Sequence, residues 1–438
     1  MKVRNPLIGL ICTKKFQVYG FLYDPSINFD ITDVFVDMNC EYTKNIVINA
    51  LAMRPWCNIV SKIDIESTHR MIQFSDFENI DWEIVLKGQV YGASSYLVRK
   101  GLSRKAQMAL QIKRYISKHP DSILKTSFPV TIIIETWNAF DEIKIDFGRG
   151  TFASFDSSTM LQTPLRKRLE WCLEDVKEIV VDSVNKEKWY WILKPSVTNK
   201  GMAISVHHSW ESILDSLESN DEIREWVLQK YISNPLLISH HKFHFRVYIL
   251  CVGSLKVYVC NKILMLLAAH KYKLDDLDDV YRHLTNTARS AEDINFDEKK
   301  FVLPFSDLSQ ILSQQGVNDS ENICIGILRQ IKDIVRDLFS AFENEYTIFA
   351  PMSNCFEVYG LDFVSDSGYN IYLLEANPGP DFKQTGDKLR ETIVDLWEGI
   401  CKVVLDPPLD KFVDNNSSFS MVYEKEWSTS NLNGMKLC

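Results

Sequence analysis

Asp362, Glu375 and Asn377 place three oxygen-bearing side chains in one stretch, FEVYGLDFVSDSGYNIYLLEANPGP (356–380). The stretch reads as two strands around a tight turn. Gly368 suits the first central position of a two-residue type II′ loop, which needs φ > 0. With Gly368–Tyr369 as that loop, Ser367 faces Asn370, and counting outward sets Asp362 opposite Glu375. Facing Cβ atoms lie about 4.5–5.5 Å apart. Asn377 is two residues beyond Glu375 and shares its face. Carboxylates this close repel unless a cation separates them. Carboxylate and carboxamide oxygens suit Mg2+, which commonly binds substrate phosphates as well. Two other readings stand beside this one. The acids can be solvated on an open sheet face, although Leu361, Phe363, Leu374 and Ala376 around them read as buried. A turn centred on Asp366–Ser367 would shift the pairing and separate them.

A metal that clamps phosphates needs cationic neighbours. Lys194 ends the apolar segment WILKP, where a lysine is unfavourable unless it meets an anion. SVTNKGMAI follows, a polar loop whose Lys200 and Gly201 could cover phosphates; one glycine makes it a weak phosphate loop alone. VLQKYI contributes Gln229, Lys230, Tyr231 and Ile232, a strand whose backbone could hydrogen-bond a purine. In HKFHFRVYIL, Lys242 and His244 alternate with apolar residues, so a strand points both one way; Arg246 is four beyond Lys242. Taken singly, each cation also reads as an ordinary surface charge.

The elements that must position these residues follow from periodicity. LIGLIC and VFVDM are short strands among helical or loop stretches, giving a small α/β unit over the first ~90 residues. Between 98 and 125, Arg99, Lys100, Arg104, Lys105, Lys113, Arg114, Lys118 and Lys125 are opposed only by Asp121. Leu102, Ala106, Ala109 and Leu110 fall at helical spacing between them, so the segment is a basic amphipathic helix, or simply a solvated face. VTIIIETW reads as a buried strand, 165–184 as a helix, and WYWILKPS, EWVLQKYI, FRVYILCV and KVYVCNKILMLL as further strands. ICIGILRQIKDIVRDLFSAF is an amphipathic helix. The order of strands and helices does not alternate, so the class is α+β. The last polar stretch reads as a loose tail. The expected divisions are 1–95, 96–225, 226–405 and a tail over 406–438.

Composition narrows the functional classes. The chain has 438 residues, 46% of them hydrophobic and 24% charged, as in soluble globular proteins of more than one domain. A formal net charge of −9 argues against general nucleic-acid binding. The ten cysteines include no C-x-x-C pair, which disfavours a zinc site and fits a reducing intracellular compartment. No run approaches the roughly 20 apolar residues of a membrane span. The apolar run near the N-terminus is too short for a signal peptide.

In order, WILKPSVTNKG, VLQKYISNPLLI, HKFHFRVYIL, HLTNTARS and FEVYGLDF…YLLEANPGP resemble the tubulin–tyrosine ligase family, a branch of the ATP-grasp enzymes. The resemblance covers roughly 190–385, with a weaker match from SYLVRKGLSRKAQ, and suits a divergent fungal-type member. It implies a nucleotide held between two α+β domains and ATP-driven ligation of an amino acid, such as tyrosine, to a protein carboxylate such as the acidic tubulin tail. It assigns Mg2+ to Asp362, Glu375 and Asn377; ATP to Lys194, Lys200, Gly201, Gln229, Lys230, Tyr231, Ile232, Lys242 and His244; and catalytic positions to Lys105, Arg246 and Asn286. The chain departs from the family at His244, where aspartate is usual, and at Asn261 and Leu266, where arginines are common. These departures support an alternative that the resemblance also implies: an ATP-binding interaction protein of cytoplasmic mRNA-decay granules (P-bodies) without tubulin ligation.

Overall fold

The computed structural model describes residues 28–65, 69–88, 90–136, 164–197, 202–285, 298–380, 382, 390–406 and 418–425. Lys200, Gly201, Asn286, the LIGLIC segment and residues 426–438 lie outside them.

The first sheet is parallel. Strands β1 (Asn28–Asp37), β2 (Cys57–Val60), β3 (His69–Ser75) and β4 (Tyr91–Ala93) take the order β2-β1-β3-β4. Parallel neighbours require crossovers, and helix α1 (Glu41–Ala52) supplies one, burying Ile46, Val47, Ala50 and Leu51. The strands' carboxyl ends open onto a cleft lined by Met38, Ser75 and Ser94.

Helix α2 (Lys105–Lys118) begins just after a single turn over 100–103, so the basic stretch forms two helical pieces. Met108 and Ile112 on its apolar face join the largest core. Lys113, Arg114 and Lys118 are exposed, whereas Arg99 and Lys105 turn inward to carboxylates.

The second sheet is antiparallel, with β5 (Thr131–Glu135), β6 (Trp191–Pro195), β7 (Ser205–His207) and β8 (Glu225–Lys230) in the order β5-β8-β6-β7. Strand β5 sits at its edge, so of its residues only Ile134 is buried, not the whole run that β-branched density suggests. Helices α3 (Pro164–Glu187) and α4 (Trp210–Ser219) cover one face; Leu173, Val176 and Ile213 pack with Trp191 and Trp226.

The third sheet has eight strands: β9 (Leu237–Ile238), β10 (His241–Val252), β11 (Lys256–Cys260), β12 (Leu264–Leu267), β13 (Val302–Pro304), β14 (Phe356–Ser365), β15 (Ile371–Pro378) and β16 (Phe419–Glu424). KVYVCNKILMLL is not one strand. It breaks at Asn261–Ile263, with β11 pairing the far half of β10 and β12 its near half. Strand β16 lies inside the stretch read as a loose tail; it covers the edge of β11, where unpaired backbone groups would otherwise remain.

Strand β10 organises both faces. Phe243, Phe245, Val247, Ile249 and Cys251 point into the core made with helix α5 (Ser320–Ala341), through Ile327, Ile331, Ile334 and Leu338. Tyr248 and Leu250 point the other way, into a second core with helix α6 (Arg390–Val404), α1 and the first sheet. Lys242, His244 and Arg246 share that second direction and reach the cleft.

The first and third sheets are keyed together. A Cβ at Gly92 would lie 2.2 Å from the Asn354 carbonyl oxygen. Asn354 also donates from Nδ2 to the carbonyls of Val85 and Tyr91. Arg54, 4% exposed, bonds Glu398 of α6 and Asp406 just beyond that helix.

Candidate active site

The acidic pair faces as the sequence suggests, but by another route. Asp362 pairs with Glu375 across β14 and β15. The turn, however, is not type II′: Gly368 has no positive φ, and Tyr369 adopts it at 64°. Asp366 closes the loop, its backbone N–H donating to the Asn370 carbonyl and its Oδ1 accepting from the Gly368 and Asn370 N–H groups. This loop is one residue longer than a two-residue turn. Between Phe363↔Leu373 and Asp362↔Glu375 the register shifts, leaving Leu374 as the extra residue of a β-bulge. The bulge also changes which face β15 presents. Ile371 and Leu373 face the α5 core, while Leu374, Glu375 and Asn377 line the cleft.

A row of alternating charge therefore crosses three strands. Arg246 pairs with Asp362 in register, and its Nε and Nη2 donate to Oδ1 and Oδ2 at 2.5 and 3.0 Å. Burial opposes the Arg246 charge, but Asp362 outweighs it and keeps the guanidinium protonated. Lys105 Nζ lies 3.3 Å from Glu375 Oε2. Burial alone would raise the Glu375 carboxyl; Lys105 and then Lys194 hold it well below the usual carboxylate range. Asn377 Nδ2 stands 3.4 Å from Asp362 Oδ2 and 3.1 Å from Glu375 Oε1. Three oxygen-bearing side chains thus converge at one point of the cleft wall, a donor set that fits Mg2+. Arg246 and Lys105 neutralise those carboxylates as the structure stands.

Deeper in the cleft the balance changes sign. Lys194 is buried and donates to Gln229 Oε1 at 2.9 Å, a neutral partner. Burial brings its pKa down to about 8, with Glu375 opposing. Lys242, also buried, donates to Tyr231 Oη at 2.9 Å and the His283 carbonyl at 3.0 Å. Burial and then Lys194 bring it down to about 7. Neither ammonium has a carboxylate within salt-bridge distance among the described residues. His244 is fixed by a 2.6 Å bond from Nδ1 to Thr285 Oγ1, and its buried Nε2 has no hydrogen-bond partner, with Asp362 Oδ1 at 3.5 Å. Burial lowers its pKa to about 4, so the ring is neutral at ordinary pH.

Asp362, Glu375, Asn377, Lys105, Lys194, Lys242, His244 and Arg246 all line one cleft of about 750 Å³. The expected hinge residues stand behind that surface: Gln229 and Tyr231 hold the two lysines, Ile232 is buried, and Lys230 turns away to sit 3.8 Å over the Trp189 ring. Leu266 is in the cleft wall, whereas Asn261 accepts from Ser420 at the break between β11 and β12.

The cleft has a second half that sequence reasoning did not assign, beside the carboxyl ends of β3 and β4. Arg99 lies 3.9 Å over the Phe77 ring and pairs with Glu357, 1% exposed, which also accepts from the Tyr359 hydroxyl and the Tyr96 N–H. Burial pushes the Glu357 carboxyl up, and Arg99 opposes that. Ser75, Asp76, Glu78, Phe382 and Trp397 complete this part. Of these signals, only Arg99 and Arg104 beside Lys105 stand out in the sequence.

A four-stranded and a larger eight-stranded antiparallel sheet closing on a cation-lined cleft with an acidic strand pair is the architecture of an ATP-grasp enzyme. The C-terminal domain of Pby1 from K. lactis, described as an ATP-grasp enzyme interacting with the mRNA decapping enzyme Dcp2, superposes with a TM-score of 0.63 at 26% identity, over 90% of this chain and all of that one. The tubulin-tyrosine ligase family model matches residues 150–412, and the chain belongs to that family. A probable tubulin–tyrosine ligase of Schizosaccharomyces pombe is 30% identical over 432 residues, 90% of this chain and 96% of its own length. The probable tubulin–tyrosine ligase PBY1 of Saccharomyces cerevisiae is 30% identical over 386 residues, 78% of this chain but 46% of that protein.

Proposed function

We propose that the chain is an ATP- and Mg2+-dependent ligase that joins an amino acid to a protein carboxylate, with the nucleotide lying between the second and third sheets. The observation that carries this is the pair of buried ammonium groups, Lys194 and Lys242, unneutralised beside a converging set of Asp362, Glu375 and Asn377. A polyphosphate supplies the missing negative charge to the lysines, and its cation supplies positive charge to the acids. In this reading Lys200, Gly201 and the backbone of Gln229, Lys230, Tyr231 and Ile232 also hold ATP, and Asn286 completes the catalytic edge. The units would be 1–95, 96–225 and 226–405.

The carboxylate of the acceptor attacks the terminal phosphorus and releases ADP; the amine then displaces phosphate from the acyl phosphate. Mg2+ bound at the acids would offset charge on the transferring phosphoryl group. Arg246, tethered by Asp362, is positioned to meet that charge, and Lys105 can leave Glu375 for it. An acidic tail such as that of tubulin suits the family and the exposed Lys113, Arg114 and Lys118. Unpaired cysteine thiols among the described residues accord with a cytoplasmic setting.

A second reading, ATP-dependent association with the mRNA-decay machinery without tubulin ligation, draws on the Pby1 likeness and on Leu266 in the cleft wall. Calorimetry with ATP and Mg2+ tests the shared premise: binding is expected in the wild type and lost in Asp362→Ala and Glu375→Ala. Absence of Mg2+-dependent ATP binding in the wild type overturns both readings. Incorporation of labelled amino acid into detyrosinated tubulin, lost in Lys194→Ala, separates the first from the second.

A further inference from the structure

Lys242 carries three ammonium hydrogens, and two of them are taken. Its Nζ donates to the Tyr231 hydroxyl oxygen at 2.9 Å and to the His283 carbonyl at 3.0 Å. Both acceptors come from outside β10. Tyr231 follows β8, and His283 ends a single helical turn over Val280–His283 that Asp279 caps. Lys242 lines the cleft, so the third hydrogen is the one left to meet a ligand there.

A tyrosine hydroxyl donates as readily as it accepts, so something must turn its lone pair toward the lysine. His283 does this. Its Nε2 lies 2.9 Å from the Asp276 carbonyl oxygen, which only accepts, so Nε2 carries the proton. Burial lowers the His283 pKa, with the Asp276 carbonyl opposing and Lys242 adding to the drop, so the ring is neutral at pH 7 and above and Nδ1 is bare. Nδ1 lies 3.0 Å from Tyr231 Oη and accepts its proton. Tyr272 does not compete for that acceptor, because its hydroxyl donates to the Ser233 carbonyl at 2.7 Å. Tyr231, His283 and Lys242 are 3%, 2% and 7% exposed, which leaves water little access to redirect the chain.

We infer that Tyr231 and His283 are positioning residues for Lys242, joined in a one-way chain of hydrogen bonds that ends on the Asp276 carbonyl. The carbonyl fixes the His283 tautomer, the bare Nδ1 draws the Tyr231 proton away from the lysine, and a lone pair is left facing the ammonium. This rests on the ligase reading above, in which Lys242 meets a phosphate, and specifies how its charge and direction are held. Hydrogen bonds from an ionised donor are stronger than those from a neutral one, so the chain favours the ammonium over the amine. The charged and titratable groups facing the chain are Lys194 and His244 beside Lys242, Tyr272 beside Tyr231, and Asp276 and Asp279 beside His283.

The test is a pH titration of the nucleotide-free full chain carrying lysine labelled with 13C at Cε, followed by NMR. The Lys242 signal is identified by its loss in Lys242→Met, and nitrogen NMR of the imidazoles reads the His283 tautomer. In the wild type Lys242 is expected to titrate at about 7, and His283 to carry its proton on Nε2 alone. Tyr231→Phe keeps the ring 4.1 Å from Nζ and removes the acceptor; His283→Phe frees the Tyr231 proton to turn on the lysine. Each should lower the Lys242 midpoint by about one pH unit, the worth of one hydrogen bond to a charged group. His283→Asn restores an acceptor near the Nδ1 position and should recover most of that shift. With ATP and Mg2+, His283→Phe should bind about tenfold more weakly than wild type at pH 8 but within about twofold at pH 6, whereas a merely structural role would weaken both alike. A proton on Nδ1 of His283 in the wild type, an unshifted Lys242 midpoint in Tyr231→Phe, or equal loss of ATP affinity at both pH values in a folded His283→Phe would overturn the assignment. Absence of ATP binding in the wild type strikes the ligase reading instead, and the nucleotide-free titration still decides the chain.

Discussion

The two halves of the cleft solve charge burial in opposite ways. Around Lys194 and Lys242 the positive charge is left open, held only by Gln229, Tyr231 and a carbonyl. Around Arg99 the charge is closed by Glu357. In the first half the lysines meet only neutral partners; in the second the arginine is met by a carboxylate of the chain itself. Between them, the Arg246–Asp362–Glu375–Lys105 row is neutral as it stands. The difference teaches that buried cations become informative only after their partners are counted.

The comparison can be broken by removing one acid from each half. Asp362→Asn strands Arg246, and Glu357→Gln strands Arg99; each should lower stability by about 3–5 kcal/mol, because a buried charge loses its partner. Denaturant melts would check this. Only Asp362→Asn is expected to abolish Mg2+-dependent ATP binding, and equal loss in both would erase the distinction between the halves. Next in size, Lys242→Met should weaken ATP on the order of a hundredfold with no fall in melting temperature, since it removes a buried charge that has no counter-ion. Gly360→Ala strikes the wall between the halves. Its Cβ would lie 3.0 Å from Pro380 Cβ and 3.1 Å from Arg246 Cδ, and overpacking of this kind costs about 1–3 kcal/mol.

Proton linkage sharpens the contrast. Free Lys242 titrates near 7 and free Lys194 near 8, so above pH 8 both are largely neutral. A bound polyphosphate favours their charged forms. ATP binding at pH 8 should take up protons and weaken as pH rises, with uptake vanishing near pH 6. Titrations in buffers of different ionisation enthalpy would measure it; zero uptake at pH 8 would mean that the lysines do not meet the phosphates. The smallest effect belongs to the turn. Gly368→Ala should change stability by less than about 1 kcal/mol, because the positive φ lies at Tyr369 and the nearest atoms to an added Cβ are 3.3 Å away. A larger loss, seen by thermal melting, would point back to a turn that needs glycine there.

Much of the half around Lys194 and Lys242 is legible in the sequence. Alternation along HKFHFRVYIL sends Lys242, His244 and Arg246 one way, and register counting brings Asp362 to Glu375. The count succeeds for an incomplete reason: the loop is a residue longer than assumed, and Leu374 absorbs the difference. Doubled leucine at 373–374 is the only trace of that phase change, and a period-two pattern does not distinguish it from a continuous strand. The break at Asn261–Ile263 hides similarly, because apolar residues continue on both sides of it. Strand β16 gains its order from the edge of β11, which no local pattern in FSMVYE announces. The second half was illegible because its pairing is long-range. Arg99 and Glu357 stand 258 residues apart, and no local pattern joins them before the fold does.

Gly92 meets the Asn354 carbonyl, and main chain cannot be trimmed the way a side chain can. No substitution at residue 354 makes room for even a methyl group at 92. Homologous replacement of the parallel sheet as a cassette would therefore fail unless the incoming piece also carries a bare α-carbon at this spot, whatever its other surfaces look like.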